Sequence, residues 1–192
     1  MIEESIINEH IISFKQDLKL HSSEEIVQRR IISGDSIILE ARTYHELRTS
    51  IAENFQIHAN EVVLVGSAKL GFSIAPYKEY RHFGDSSDLD LAIVSSDLFD
   101  KFWKAVYNLW KQKVFWENEH DFKKYLFQGW IRPDKLPNAK SFAMGDSWWE
   151  YFRELTKTNK FGPYKITGAL YKDWDYLQGY QNYSVQICKD KL

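Results

Sequence analysis

Hydrophobic residues along this chain recur with two different periods. Between residues 3 and 20, Ile7, Ile11, Phe14 and Leu18 share one side of a helical repeat, which predicts an amphipathic helix. Ser22 followed by Glu25 has the spacing of a capping box and starts a second, short helix. Gly34 reads as its C′ residue and Asp35 as the cap of a third helix, running to about Asn54 through Ile38, Tyr44, Leu47 and Ile51. After a turn at Ala59-Asn60 the period changes. Val62 to Val65 is short, β-branched and bounded by turn signals, which predicts a strand. A short helix over 67–73 and a loop over 75–87, containing Pro76 and Gly84, lead to Leu89–Val94. That second strand is apolar on both faces, with Leu89, Leu91 and Ile93 on one and Ala92 and Val94 on the other, so it is expected at the centre of a sheet. Helical spacing returns from Leu98 to about Trp116, capped by Ser95-Ser96-Asp97. Its apolar stripe takes in Phe102, Ala105 and Leu109, with Phe99, Trp103, Val106 and Trp110 alongside. Further helices are expected over 117–128, 147–157 and 174–188, a strand over 164–171 through Ile166, Gly168 and Leu170, and an irregular, proline-broken segment over 129–138.

This order of elements predicts an α+β fold: a small mixed β-sheet with flanking helices and an N-terminal helical segment. The 192 residues fit a single domain, with helices in 1–58 and the core and C-terminal elements in 59–192. A hydrophobic fraction of 44%, with seven tryptophans, supports a core rich in aromatic packing. The net charge of −2 argues against coating nucleic acid over the whole surface but leaves room for a local basic groove. A lone cysteine, Cys188, rules out a disulfide framework and a cysteine-based zinc site. The N-terminus has no signal-peptide pattern, and no apolar run approaches the roughly 18 residues of a membrane span. A cytoplasmic protein with no membrane association is expected.

The chemistry concentrates in Val62–Val94. Asp88 and Asp90 stand two apart at the mouth of the second strand, where i and i+2 side chains share a face about 7 Å apart. Both can reach one small volume, and carboxylates completed by phosphate and water oxygens suit Mg²⁺. A solvated acidic turn before a strand is the competing reading. Gly66-Ser67 closes the first strand, where glycine lets backbone approach a phosphate; an ordinary strand-to-helix turn is its competitor. A P-loop is excluded because Phe72 stands where lysine is required, a dinucleotide fingerprint because position 68 is alanine, and an EF-hand because Ala92 and its apolar neighbours replace the ligands. No two of the six histidines have helical metal-ligand spacing, and His82 is singled out only for its place in the loop. Trp130, Trp148, Trp149 and Trp174 could stack a base, although core packing is the stronger reading.

Strand, Gly66-Ser67, short helix, loop and then Ser87-Asp88-Leu89-Asp90 opening a second strand resembles the nucleotidyltransferase superfamily of the DNA polymerase β-like fold. The resemblance covers 33 of 192 residues, the catalytic core alone. The acids precede the apolar run here, whereas in haloacid dehalogenase-like phosphatases and metal-dependent glycosyltransferases they follow it. The resemblance implies that Gly66 and Ser67 hold nucleotide phosphates, assisted by Lys69, and that Asp88 and Asp90 ligate Mg²⁺ or Mn²⁺. It implies transfer of a nucleoside monophosphate from an NTP such as ATP to an acceptor hydroxyl on RNA, a protein, a small molecule or a second nucleotide. A partner protein or homo-oligomer, and a bacterial toxin–antitoxin or phage-defence setting, are further expectations of the same kind. Lys78, Arg81 and Arg48 are additional candidates for the phosphates. Active members supply a third carboxylate from a later strand. Residues 164–171 contain none, which leaves Asp134, Asp173 and Asp175. If none converges, a non-catalytic nucleotide-binding or scaffold subunit is the alternative. A phosphotransferase releasing NDP is a second one.

Overall fold

The computed structural model describes residues 3–84, 86–138 and 142–192; Met1, Ile2, Asp85 and residues 139–141 lie outside the described residues. A four-stranded mixed sheet carries the fold, in the order β1-β2-β4-β3. Strand β1 (Val62–Val65) runs antiparallel to β2 (Leu89–Val94), β2 runs parallel to β4 (Ile166–Tyr171), and β3 (Trp130–Ile131) runs antiparallel to β4. The α+β class expected from the order of elements is therefore correct, and β2 is central.

The alternation of β2 explains the layers. Leu89, Leu91 and Ile93 enter the larger core, together with Leu47 and Ile51 of α3 (Ala41–Phe55), Phe102 and Val106 of α5 (Ser96–Lys111), and Trp148 and Phe152 of α7 (Ala143–Lys157). Ala92 and Val94 face the other way, onto Tyr171 of β4 and Leu177 of α8 (Trp174–Asp190). A third cluster joins Phe14 and Leu18 of α1 (Glu4–Leu20) to Ile26 of α2 (Ser23–Ile26), to Leu70 of α4 (Gly66–Leu70), and to Val185 and Cys188. Helix α6 (Glu119–Phe127) adds Phe122 to the larger core. Among the described residues no helix is long and apolar enough to cross a membrane.

Several boundaries differ from the sequence expectation. Ser22 caps α2 by accepting from the Glu25 backbone N–H at 3.2 Å, but the Glu25 carboxylate turns to His21 and Arg29. The chain continues as a π-helical turn, Val27–Ile32. Gly34 is not left-handed; a Cβ there would sit 2.8 Å from the Arg29 carbonyl oxygen, so close approach rather than φ calls for glycine. The third helix starts at Ala41, not at Asp35, because the Ser36 hydroxyl accepts from the N–H groups of Ile38 and Leu39 and donates to the Ala68 carbonyl. That local arrangement competes with helix. Residues 130–131, expected as irregular, form the edge strand. Helix α5 stops at Lys111, and Lys113 turns the chain with a φ of 60°. Trp103 and Trp110, read as part of the core stripe, face solvent.

Candidate functional site

The register of the sheet assembles the site. Val65 of β1 and Thr167 of β4 are the two Cα partners of Asp90 on β2. Gly66 follows Val65 with a φ of 65°, a region that glycine occupies without steric cost. A Cβ on Gly66 would stand 3.6 Å from Asp90 Oδ2, so the strand-end glycine lies directly against that carboxylate. Thr167 donates its hydroxyl to Asp90 Oδ1 at 2.8 Å, which fixes the carboxylate and leaves Oδ2 towards Gly66. Asp88 lies one step down the same face and has Lys165 Nζ at 3.9 Å from its Oδ2.

Gly66, Asp90 and Thr167 open into a cleft of about 510 Å³, a size suited to a small-molecule ligand, whereas Asp88 is not among its lining residues. Gly66, Ser67, Asp90, Thr167, Lys78, Lys165 and Arg132 are among its lining residues, with Tyr77, Trp130, Trp149 and Tyr180 as the aromatic part. Asp90 is exposed at the strand end and lines this cleft. Burial pushes its carboxyl pKa up and the charge of Asp88 adds to that, against the opposing effects of Thr167, Lys78 and Lys165. The indole of Trp130 stacks on Tyr171 at 5.5 Å with an 8° tilt and has Tyr180 at 4.7 Å. Arg132 lies 5.4 Å above the same indole, held by Asp134 through Nε and Nη2 at 3.0 Å each and by the Tyr125 hydroxyl at 3.2 Å. One wall is thus cationic and aromatic, and the floor is acidic.

Carboxylates such as Asp88 and Asp90 are the ligand type that a hard divalent cation takes. Two carboxylates, one of them disfavoured as an anion by its surroundings, would be relieved by a dication, and Mg²⁺ with phosphate and water oxygens matches hard carboxylate ligands. Asp88 and Asp90 are the residues that would hold it. Among the described residues, no cluster of three or more His, Cys, Asp or Glu side chains forms. Asp134 lines the cleft but is engaged by Arg132, and Asp173 caps α8 by accepting from the N–H groups of Asp175 and Tyr176. The place opposite Asp90 belongs to Thr167.

Other candidates lie elsewhere. Lys69 does not line the cleft; it is 1% exposed, donates to the Gly34 carbonyl and lies 5.3 Å from the Tyr44 ring centroid. Arg48 donates to Ala59 O and Asn60 Oδ1. His82 bonds Asn8 and approaches Glu4. Trp148 is buried in the core, in line with the packing reading, and borders the inner wall of the cleft together with Trp130 and Trp149. Sequence reasoning missed Arg132, Tyr180 and Thr167. A signal existed for Thr167, since alternation through Ile166, Gly168 and Leu170 puts Thr167 on the opposite face, the one shared with Asp90.

Burial lowers the Lys69 pKa to about 8, with Asp35 opposing and Arg48 assisting. An unfolded lysine keeps its proton to about 10.4, so between these values the unfolded chain binds more protons and stability rises with pH. The gap is worth roughly 3 kcal/mol. Urea unfolding at pH 7.5 and pH 10 should show wild type gaining about 2 kcal/mol of this relative to Lys69→Met. A pH-independent difference between the two proteins would contradict the assignment.

No family model, curated protein or solved structure matches the chain.

Proposed function

We propose that this chain is a Mg²⁺- or Mn²⁺-dependent nucleotidyltransferase that moves a nucleoside monophosphate from an NTP to an acceptor hydroxyl. The observation that carries the reading is the placement of Gly66 against Asp90 Oδ2 inside a cleft walled by Lys78, Lys165 and Arg132. An acidic floor beside a strand-end Gly-Ser, under a cationic and aromatic wall, has a partner for each part of a nucleotide. Gly66 and Ser67 allow the triphosphate to approach backbone closely. Lys78 and Lys165 offset its charge, and the exposed rings of Tyr77 and Tyr180 offer surface to the base. A metal ion bound at Asp88 and Asp90 would supply Lewis-acid stabilisation of phosphate oxygens.

The reaction then balances simply. The acceptor hydroxyl oxygen bonds to the α-phosphorus as its proton passes to water, the bond from that phosphorus to the β-bridging oxygen breaks, and pyrophosphate carries away the electron pair. The protein contributes position and charge rather than covalent chemistry. Thr167 takes one oxygen of Asp90 and so aims the other. The acceptor class, whether RNA, protein, small molecule or second nucleotide, is open to the same experiment.

One observation favours a second reading. Thr167, not a carboxylate, faces Asp90, and Asp134 and Asp173 are occupied by other bonds. A nucleotide-binding subunit without turnover fits that arrangement. Each labelled NTP incubated with Mg²⁺ or Mn²⁺, total cell RNA and protein separates the two. Label on an acceptor with release of pyrophosphate, lost in Asp88→Asn/Asp90→Asn, supports transfer. Tight NTP binding without transfer supports the second reading, and NDP release instead of pyrophosphate would mean phosphotransfer. Undiminished activity in the double variant would remove both acids from the mechanism.

A further inference from the structure

The outer face of α5 carries a pattern that the fold does not consume. Trp103, Tyr107 and Trp110 are 48%, 50% and 46% exposed. Their spacing aligns them along one side of the helix, while Phe102, Val106 and Leu109 fill the core beneath. Lys101, Lys104 and Lys111 form the neighbouring exposed row, and Lys113 follows in the turn. Residues 101–116 hold four lysines and no acid, in a chain whose net charge is −2. Of the flanking acids, Asp100 pairs with Lys172 at 2.6 Å, Glu119 with Lys123 at 2.6 Å and Asp121 with Lys135 at 3.3 Å, while Asp97 and Glu117 bound the segment at its two ends. The Tyr107 and Trp110 rings lie nearly parallel, 24° apart, with Lys111 and Lys123 each 5.8 Å from a ring centroid.

We propose that this face binds single-stranded nucleic acid, with bases stacking on Trp103, Tyr107 and Trp110 and the lysine row neutralising phosphates. Exposed aromatic rings beside a continuous cationic row are what an unpaired strand requires, since every base has a stackable face and every nucleotide a negative charge. Protein interfaces, by contrast, are depleted in lysine. The surface is separate from the cleft: no residue of α5 lines it.

Fluorescence anisotropy of labelled oligo(U) and oligo(dT) with the full chain, between 50 and 200 mM salt, tests it. Wild type should bind at low salt. Trp110→Ala should weaken binding at least 5-fold, within the roughly 5- to 150-fold range of a lost stacking platform. Lys104→Gln with Lys111→Gln should make the log–log salt slope shallower by about 1.4, at about 0.7 per phosphate contact on a single strand. Asp88→Asn/Asp90→Asn should bind the oligonucleotide like wild type whether or not the cleft is catalytic. All substituted α5 positions are exposed, and melting temperatures check that the fold is kept. Absence of binding at 50 mM salt, unchanged affinity and slope in the variants, or equal competition by polyglutamate or anionic lipid vesicles would overturn the proposal.

Discussion

Asp90→Asn will raise the melting temperature of the metal-free protein at neutral pH, and it will abolish the further rise that Mg²⁺ with an NTP gives the wild type. Burial, reinforced by Asp88, lifts the Asp90 pKa above its ordinary value. The folded state therefore holds that proton more tightly than the unfolded chain does. Stability accordingly falls as pH rises from the ordinary carboxylate range through the raised value. An asparagine has no charge to bury and escapes that loss. With ligand the order inverts. At a hundred times its dissociation constant a ligand stabilises by about 2.7 kcal/mol. For a chain of this size that is a rise of roughly 5–10 °C. Thermal scans with and without Mg²⁺–NTP, at pH 5 and pH 7.5, check both halves. A variant less stable than wild type without metal, or one that keeps the full ligand shift, would contradict the role given to Asp90.

Gly168→Val will cost roughly 3 kcal/mol, at the upper end of what overpacking does, and will lower the melting temperature by about 6–12 °C. Gly168 pairs with Leu91 in the middle of the sheet, and a Cβ there would lie 2.4 Å from the Phe152 ring. Phe152 has little freedom to retreat, since Trp148 at 5.2 Å, Tyr151 at 5.4 Å and Phe55 at 6.0 Å surround it. Gly179→Ala is the matching control. It lies within α8 with nothing within 4 Å of an added Cβ, so it should gain about 1 kcal/mol from helix propensity. Chemical denaturation of both variants tests the packing of β4 against α7. A Gly168→Val protein as stable as wild type would mean that this contact is looser than the structure places it.

How much of this was legible depended on the range of the interactions involved. The strands β1, β2 and β4 and the helices α1 and α8 follow from periodicity, because each has a face that must be buried. The approach of Gly66 to Asp90 was legible because a strand end fixes the direction of its own side chains. Lys69 was not. Over the five residues of α4 the helix turns away from the cleft, and the packing of Gly34 and Tyr44 receives the lysine instead. The edge strand Trp130–Ile131 is too short to show a period, so the position of Arg132 beside the cleft had no sequence signal. The helix expected from Asp35 was lost to Ser36, whose hydroxyl ties the segment to Ala68 across the fold. Thr167 needed a register, and only strand pairing supplies one.

The most direct measurement is calorimetric titration of an NTP into the protein with and without Mg²⁺, for wild type and for Asp88→Asn/Asp90→Asn. The expected result is binding by wild type that requires Mg²⁺ and is lost in the double variant. Equal affinity in the double variant, or wild-type binding indifferent to Mg²⁺, would contradict a metal–nucleotide site at Asp88 and Asp90.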